Sequence, residues 1–387
     1  MTSAGARFLK FIRMNRTVTI LLLAVGSLVA LSVVMLASAT MLRGGDSLLH
    51  AWVLRQAVFC VIGFVALGLM ARIDYHLLQR FAWPIYGICL LLLVLTLTPL
   101  GTLKNGAQRW LFGVQPSEFS KLGLVVTLAW FGARFSHRMW RFFSGVLGMG
   151  VIAAPPVLLI LVEPDKGTAV LLALVTFLLL LVAGVRWWHV ALPALILAGS
   201  FVLLVMNSEY AMKRVNAFRH PELNKDDYLQ VQESLYALGA GGLDGTGLGR
   251  GAFKFNIPEQ HTDFIFPVVG EELGLGFTLG VVGVFLVILV CGALITHAAP
   301  DAFGTLLAAG ITFVIAAQAA VNLGVVTDLL PNKGMPLPFV SRGGTGMVVM
   351  LALAGLLVSV ARQGVVGVSP LRSKGDPFEA MDTDLPE

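Results

Sequence analysis

Charge is what this chain has least of. Only 13% of its 387 residues are Asp, Glu, Lys or Arg, about half the share usual in soluble domains. That excludes a solvated globular surface over most of the length. Cysteine is almost missing: Cys60, Cys89 and Cys291 each sit inside an apolar run, with neither a disulfide framework nor a metal-ligand spacing. The 27 cations and 22 acids leave a net charge of +5. The cations gather at the ends of apolar runs rather than in one patch, so a nucleic-acid partner is excluded. The short alternating segments of a membrane β-barrel are absent too.

What the chain has is hydrophobic length. Apolar runs of about twenty residues, enough to cross a hydrocarbon core of about 30 Å, recur along nearly all of it. The sequence predicts an all-α, polytopic membrane protein with about ten spans, near 17–40, 51–71, 83–99, 117–134, 143–162, 167–185, 187–206, 264–296, 302–327 and 338–362. Ala37-Ser38-Ala39 resembles a signal-peptide cleavage site. The run before it is longer than an h-region, so the first span is expected to remain uncleaved. Two junctions, Glu163-Pro-Asp-Lys-Gly167 and Val185-Arg186, are short enough to be breaks within a helix instead of hairpins.

Cations in short loops set the orientation. The N-terminal cluster, Arg72, Arg80, Arg134, Arg138, Arg141, Arg186, Arg362, Arg372 and Lys374 fall on one side. Both tails, 1–16 and 363–387, are then expected to be cytoplasmic, flanking a single transmembrane domain over 17–362. The long polar segment 207–263, between spans seven and eight, is expected to fold on the extracytoplasmic face.

Charge kept at membrane depth usually has a task. Asp263 ends the polar segment, after His261 and Thr262, at the mouth of the eighth span. It suits a general base in a partly dry cleft; equally, Thr262 or Asp263 suits a helix N-cap. Glu271 and Glu272 follow two turns into that span. If the helix starts at Asp263, Glu271 lies about 80° around from it and Glu272 about 180°, so Glu271 is the better partner for a shared cleft.

Three more clusters are expected on the same face. Lys104, Arg109 and Trp110 precede a helix start at Pro116, where Glu118 and Lys121 stand three apart and can pair. Arg109 offers a fork matched to phosphate, and Trp110 suits an interfacial anchor. Glu163, Asp165 and Lys166 read as an ion-pair turn rather than a metal site. Lys333, Ser341 and Arg342 sit among the prolines and glycines of 330–345, irregular backbone of the kind that lines a cavity at membrane depth. The glycine run Gly239–Gly251 could present N–H groups to a diphosphate, but it lacks a P-loop ending. Acids, cations and irregular backbone on one face suit a lipid-linked substrate carrying phosphate.

These motifs resemble the FtsW/RodA family of bacterial cell-wall proteins over nearly the whole chain. The likeness is carried by NGAQRW with QPSEFSK, EPDKGTA, QESLYALGAGGLDGTGLGRG, PEQHTDFIF with GEELG, and LLPNKGMPLPF. The resemblance implies a peptidoglycan glycosyltransferase of the bacterial cytoplasmic membrane that polymerises lipid II and releases undecaprenyl diphosphate. It makes Asp263, the acid of the HTDF motif, the catalytic residue and links Trp110 to activity. Lys104, Arg109, Lys121, Glu118, His261, Glu271, Lys333, Ser341 and Arg342 are then the substrate-binding candidates. It also implies a divalent cation, Mg or Mn, and a class B penicillin-binding protein as partner, beside other divisome or elongasome membrane proteins. The sequence leans to the division branch at Glu163, Gly270 and Asn332-Lys-Gly334, and to the elongation branch at Pro336–Val340. It departs from the family at Lys166, and at Ser341-Arg-Gly-Gly-Thr-Gly346, where Ser-Tyr-Gly-Gly-Ser-Ser is usual. A lipid II flippase and a non-catalytic divisome scaffold are the rival readings.

Overall fold

The computed structural model describes residues 3–40, 46–104, 107–208, 225–253 and 262–366, with positions 212, 215, 216 and 218 between them. Helices occupy all ten predicted spans. They are α1 (Ser3–Thr40), α2 (Asp46–Arg72), α4 (Ala82–Thr96), α5 (Pro116–Arg134), α6 (Gly148–Val162), α7 (Lys166–Val182), α8 (Trp187–Met206), α10 (Ile265–Ala298), α11 (Ala302–Val326) and α12 (Gly344–Val366). Two further helices are α3 (His76–Arg80) and α9 (Lys225–Gly241). Among the described residues, six helices are long and apolar enough to cross a membrane, and α4 and α7 are shorter apolar helices.

Small residues let these helices approach closely, as membrane packing requires. Gly355 of α12 lies on the α2 backbone, where an added Cβ would fall 2.4 Å from the Leu67 carbonyl oxygen. Gly292 of α10 leaves room for Thr312 of α11 in the same way. Helix ends follow their capping chemistry. Pro116 opens α5, Asp165 caps α7 through the Thr168 N–H, and Asp301 caps α11 through the Gly304 N–H.

One expectation needs refinement. Gly101–Lys104 (β1) and Ala107–Leu111 (β2) pair antiparallel, with Lys104 opposite Ala107. The Asn105-Gly106 dipeptide between them is a strong two-residue hairpin signal. The two junctions that might have been helix breaks are turns between separate helices: Asp165 caps α7, and Gly184, with φ +86°, closes its far end.

The long polar segment does form structure against the membrane domain. Helix α9 packs along α10 and the end of α11. The Tyr228 hydroxyl donates to Asp328 Oδ2 at 2.6 Å, and Ser234 Oγ donates to the Val326 carbonyl at 2.7 Å. The C-terminal tail after Val366 lies outside the described residues.

Candidate active site

Helix α10 begins at Ile265, one residue later than a capping Asp263 would require. Its N-cap is Phe264, and no side chain caps it. Asp263 instead stands in a turn before the helix, half-buried. Asn322 of α11 fixes that turn: its Nδ2 donates to the Asp263 carbonyl at 2.7 Å and to the Met335 carbonyl at 2.6 Å. One turn earlier on the same face, Gln318 Nε2 donates to the Pro336 carbonyl at 2.8 Å. Ser341 Oγ accepts the Leu337 N–H at 2.7 Å and donates to the Thr262 carbonyl. Two buried amides and a buried hydroxyl thus hold the proline-rich segment and the Asp263 turn as one unit. They satisfy carbonyls that regular helix would otherwise have paired.

The Asp263 carboxylate lies directly on Gly334, where an added Cβ would meet Oδ2 at 2.3 Å. Any side chain there would push the acid aside. The neighbouring Lys333 runs its stem over Gly167 at the start of α7, whose Cβ would meet Lys333 Cε at 2.7 Å. At that same α6–α7 corner, Arg109 Nε donates to the Glu163 carbonyl at 3.2 Å and Nη2 to the Pro164 carbonyl at 2.6 Å. Three motifs far apart in sequence, around Arg109, Glu163 and Lys333, therefore meet at one corner.

Several expected site residues turn out to be structural. Glu118 and Lys121 do pair, at 2.7 Å, but inside the protein: Lys121 is 1% exposed and also donates to Gln318 Oε1 at 2.8 Å. The outward-facing pair expected from sequence is corrected on that ground, since no substrate reaches a fully buried ammonium. Through Gln318, the pair is wired to the proline-rich segment. Ser341 is likewise buried and uses its hydroxyl on backbone. Arg109 spends two donors on carbonyls rather than offering its whole fork outward. Trp110 lies on β2, its carbonyl accepting the Thr102 hydroxyl.

Glu271 and Glu272 are corrected too. Their angles of about 80° and 180° from Asp263 hold only for a helix that starts at Asp263, and α10 starts at Ile265. In fact α10 kinks at Gly274, with φ +78° and ψ −175°, and the glycine run docks into the kink. Thr246 N donates to the Glu271 carbonyl at 2.9 Å, Gly247 N to the Glu272 carbonyl at 3.0 Å, and Leu275 N to the Gly242 carbonyl at 2.9 Å. The Glu271 carboxylate accepts the Phe253 N–H at 2.8 Å, and the Glu272 carboxylate accepts the Ser38 hydroxyl. The acids staple this loop to α10 and α1. The loop N–H groups named here go to helix carbonyls and acids rather than outward to a diphosphate. Glycine is needed at 245 and 274 because each has positive φ and its Cβ would collide with backbone.

His261 lies outside the described residues, as does the side chain of Lys104, whose backbone ends β1. Among the described residues, no three or more His, Cys, Asp or Glu side chains gather. They do not form an all-protein cage for the divalent cation expected from the resemblance.

Glu163 is the group sequence reading undervalued. It is 1% exposed, and neither carboxylate oxygen has a hydrogen-bond partner of ordinary geometry. Burial, and then the neighbouring Asp165, push its pKa up to about 7, against smaller opposing pulls from the Thr96 hydroxyl and then Arg109. The amides of Gln318 and Asn322 were missed altogether. Two amides spaced i, i+4 in an apolar span were the available signal.

Known proteins share this architecture. The peptidoglycan synthase complex solved for its structural coordination of polymerization and crosslinking superposes with a TM-score of 0.74 at 29% identity, over 89% of this chain and 97% of that one. The rod shape determining protein RodA of Thermus thermophilus matches with a TM-score of 0.65 at 29% identity, over 89% of this chain and 96% of its own. In sequence, the probable peptidoglycan glycosyltransferase FtsW of Trichlorobacter lovleyi is 38% identical over 351 residues, 88% of this chain and 92% of that protein. Stage V sporulation protein E of Bacillus subtilis is 37% identical over 355 residues, 89% and 95% of the two chains. Residues 16–365 match the cell cycle protein family of FtsW, RodA and SpoVE, and this multi-pass membrane protein belongs to that family.

Proposed function

We propose that this peptidoglycan glycosyltransferase polymerises lipid II, with Asp263 as general base. The acid stands half-buried at a break between the polar segment and a membrane helix, held through its own carbonyl by the buried Asn322. That fixation is the observation carrying the reading. A base whose backbone is clamped in place pays little reorganisation during reaction.

In the reaction, the C4 hydroxyl oxygen of the acceptor GlcNAc attacks C1 of the donor MurNAc. Its proton passes to Asp263 as the bond from C1 to the diphosphate oxygen breaks. That electron pair leaves with undecaprenyl diphosphate, and the α-linked donor becomes a β-1,4 product by inversion. The carboxylate lies against Gly334, and the preceding residue, Lys333, brings a positive charge to the same segment.

The cation distribution supports cytoplasmic termini and an extracytoplasmic active face, where lipid-linked donors and growing strands meet. The likeness to a synthase complex that couples polymerization to crosslinking supports a transpeptidase partner of the class B penicillin-binding type. Replacing Asp263 by Asn should cut polymer formation from labelled lipid II by about 10²–10⁴-fold, the usual worth of a general base, while lipid II binding stays intact. Polymer made at the normal rate by purified Asp263→Asn protein sinks the assignment. Liposomes carrying the same lipid score flipping separately.

A further inference from the structure

At the end of the bundle away from Asp263, two connections meet: 135–147 between α5 and α6, and 183–186 between α7 and α8. Gly145 lets them close together, since an added Cβ would fall 2.3 Å from the Met139 carbonyl oxygen and 2.8 Å from the Val185 side chain. Rings join them as well. His189, near the start of α8, stands edge-on to Phe142 at 6.0 Å and to Trp188 at 6.2 Å between centroids.

The charge here is of one sign. Arg134, Arg138, Arg141 and Arg186 stand in or beside the two connections and are exposed. The sequence has no Asp or Glu from 119 to 162 or from 166 to 208. Among the described residues, none of the four arginines has a carboxylate within ion-pair distance. The corner at Asp301, at the same end of the bundle, differs: there Asp74 and Asp301 balance His76.

Two of the arginines do more than orient a span. Both the Arg141 and the Arg186 guanidinium lie over the Trp140 ring, 5.1 and 5.3 Å from its centroid, and Arg186 is also 5.5 Å from the Trp188 ring. The Trp140 ring is itself fixed, its Nε1 donating to the His137 carbonyl at 3.2 Å. Two like charges gathered on one indole repel each other, and neither connection supplies an acid to offset that. An oxyanion between them does so, because each guanidinium presents its donors in a fork matched to phosphate. Around the pair, Phe143, Leu147, Trp187 and Trp188 are exposed. Such rings sit at the level of lipid head groups, and the apolar surface beside them suits acyl chains.

We infer that Arg141 and Arg186, held by Trp140, form a binding site for the phosphodiester of an anionic membrane phospholipid, in the leaflet opposite the Asp263 face. The lipid is a structural ligand rather than a substrate. It bridges the two connections and so ties α5 and α6 to α7 and α8. The site lies at the far end of the bundle from the proposed reaction and does not depend on it.

The probe is phosphatidylglycerol, titrated onto full-length protein in detergent and read by native mass spectrometry. Phosphatidylcholine and glycerophosphoglycerol, the same head group without acyl chains, are titrated beside it. Wild-type protein should bind phosphatidylglycerol ahead of both. Arg141→Gln and Arg186→Gln should each weaken it about fivefold, the usual worth of one basic residue at an anionic surface. Trp140→Leu should do likewise, by releasing both guanidiniums. Arg138→Gln is the control, because Arg138 is exposed on the same connection but lies over no aromatic ring among the described residues; its loss should be clearly smaller. Equal losses at 138, 141 and 186 overturn the site, since a diffuse field of loop cations then accounts for the binding. Wild-type protein that binds phosphatidylcholine as tightly overturns it too. So does glycerophosphoglycerol binding as tightly as the lipid, which makes the ligand a soluble phosphodiester. Added phosphatidylglycerol should also raise the melting temperature of wild type and leave that of the Arg141→Gln, Arg186→Gln double variant unchanged. An equal rise in both sinks the bridge between the two connections.

Discussion

The two ends of the helix bundle treat buried polar groups differently. At the end away from Asp263, polar groups satisfy one another. The buried Tyr75 donates its hydroxyl to Asp301, whose other carboxylate oxygen caps α11 through Gly304 N at 2.8 Å. His76 bridges Asp74 at 2.7 Å and Asp301 at 3.3 Å. At the Asp263 end, several buried acceptors lack a donor of ordinary geometry among the described residues: Glu118 Oε2, both Glu163 oxygens, Asn322 Oδ1 and Asp328 Oδ1. The opposite end leaves only His189 Nδ1 in that state among the described residues. Buried polar atoms without partners cost stability, so the Asp263 end is the less well satisfied of the two. The closed end serves as a corner brace, and the other end keeps its less satisfied acceptors around the Asp263 turn.

The comparison breaks most sharply at Lys121. Changing it to Met strands the Glu118 carboxylate inside the protein and removes the contact to Gln318. Stability should fall by about 3–5 kcal/mol, the usual cost of breaking a buried pair, read as a lowered melting temperature in detergent. The double change Glu118→Gln with Lys121→Met should recover most of that loss, because no uncompensated charge remains. If the single change costs nothing, the pair is not the buried strut described here.

Glu163 sharpens the comparison through pH. Its folded pKa of about 7 lies above the ordinary 4.5, so the folded state holds its proton more tightly than the unfolded one. The penalty is absent below about pH 4.5, grows as pH rises to about 7, and is then constant, at about 3 kcal/mol or less. Glu163→Gln should therefore raise the melting temperature at pH 8 and leave it nearly unchanged at pH 4.5. A gain of the same size at both pH values would show that the carboxylate is solvated.

Most of the fold was legible, because a 30 Å slab imposes one length on every crossing helix. All ten predicted segments are helical, and α10 starts within one residue of the expected boundary. Asp263 was legible as a candidate since an acid next to an apolar run is rare. The roles of its neighbours were not. Lys121 and Glu271 read as site residues because a charge in a span suggests function, yet each is spent on internal partners. Those partners, Gln318 and the Phe253 N–H, are far off in sequence. The kink at Gly274 was hidden for the same reason: its freed hydrogen bonds are filled by a loop some thirty residues upstream. Asn322 carries no charge, so composition gave no cause to look at it.

The smallest expected effect tests the closed end. Tyr75→Phe removes one hydroxyl from Asp301 but leaves the ring stacked on Phe303, 5.9 Å between centroids. Burial and Asp301 together raise the phenol pKa, so the hydroxyl remains a donor across the working pH range. Its loss should cost about 1–2 kcal/mol of stability, the worth of one hydrogen bond to a charged group, with no change in kcat for polymerisation. Asp301 keeps Gly304 N and His76, which bounds the damage. A fall in kcat without a fall in melting temperature would mean that the two ends are coupled through α11, the helix that carries Asp301 at one end and Asn322 at the other. The brace would then be part of the catalytic device rather than a corner that merely holds the bundle shut.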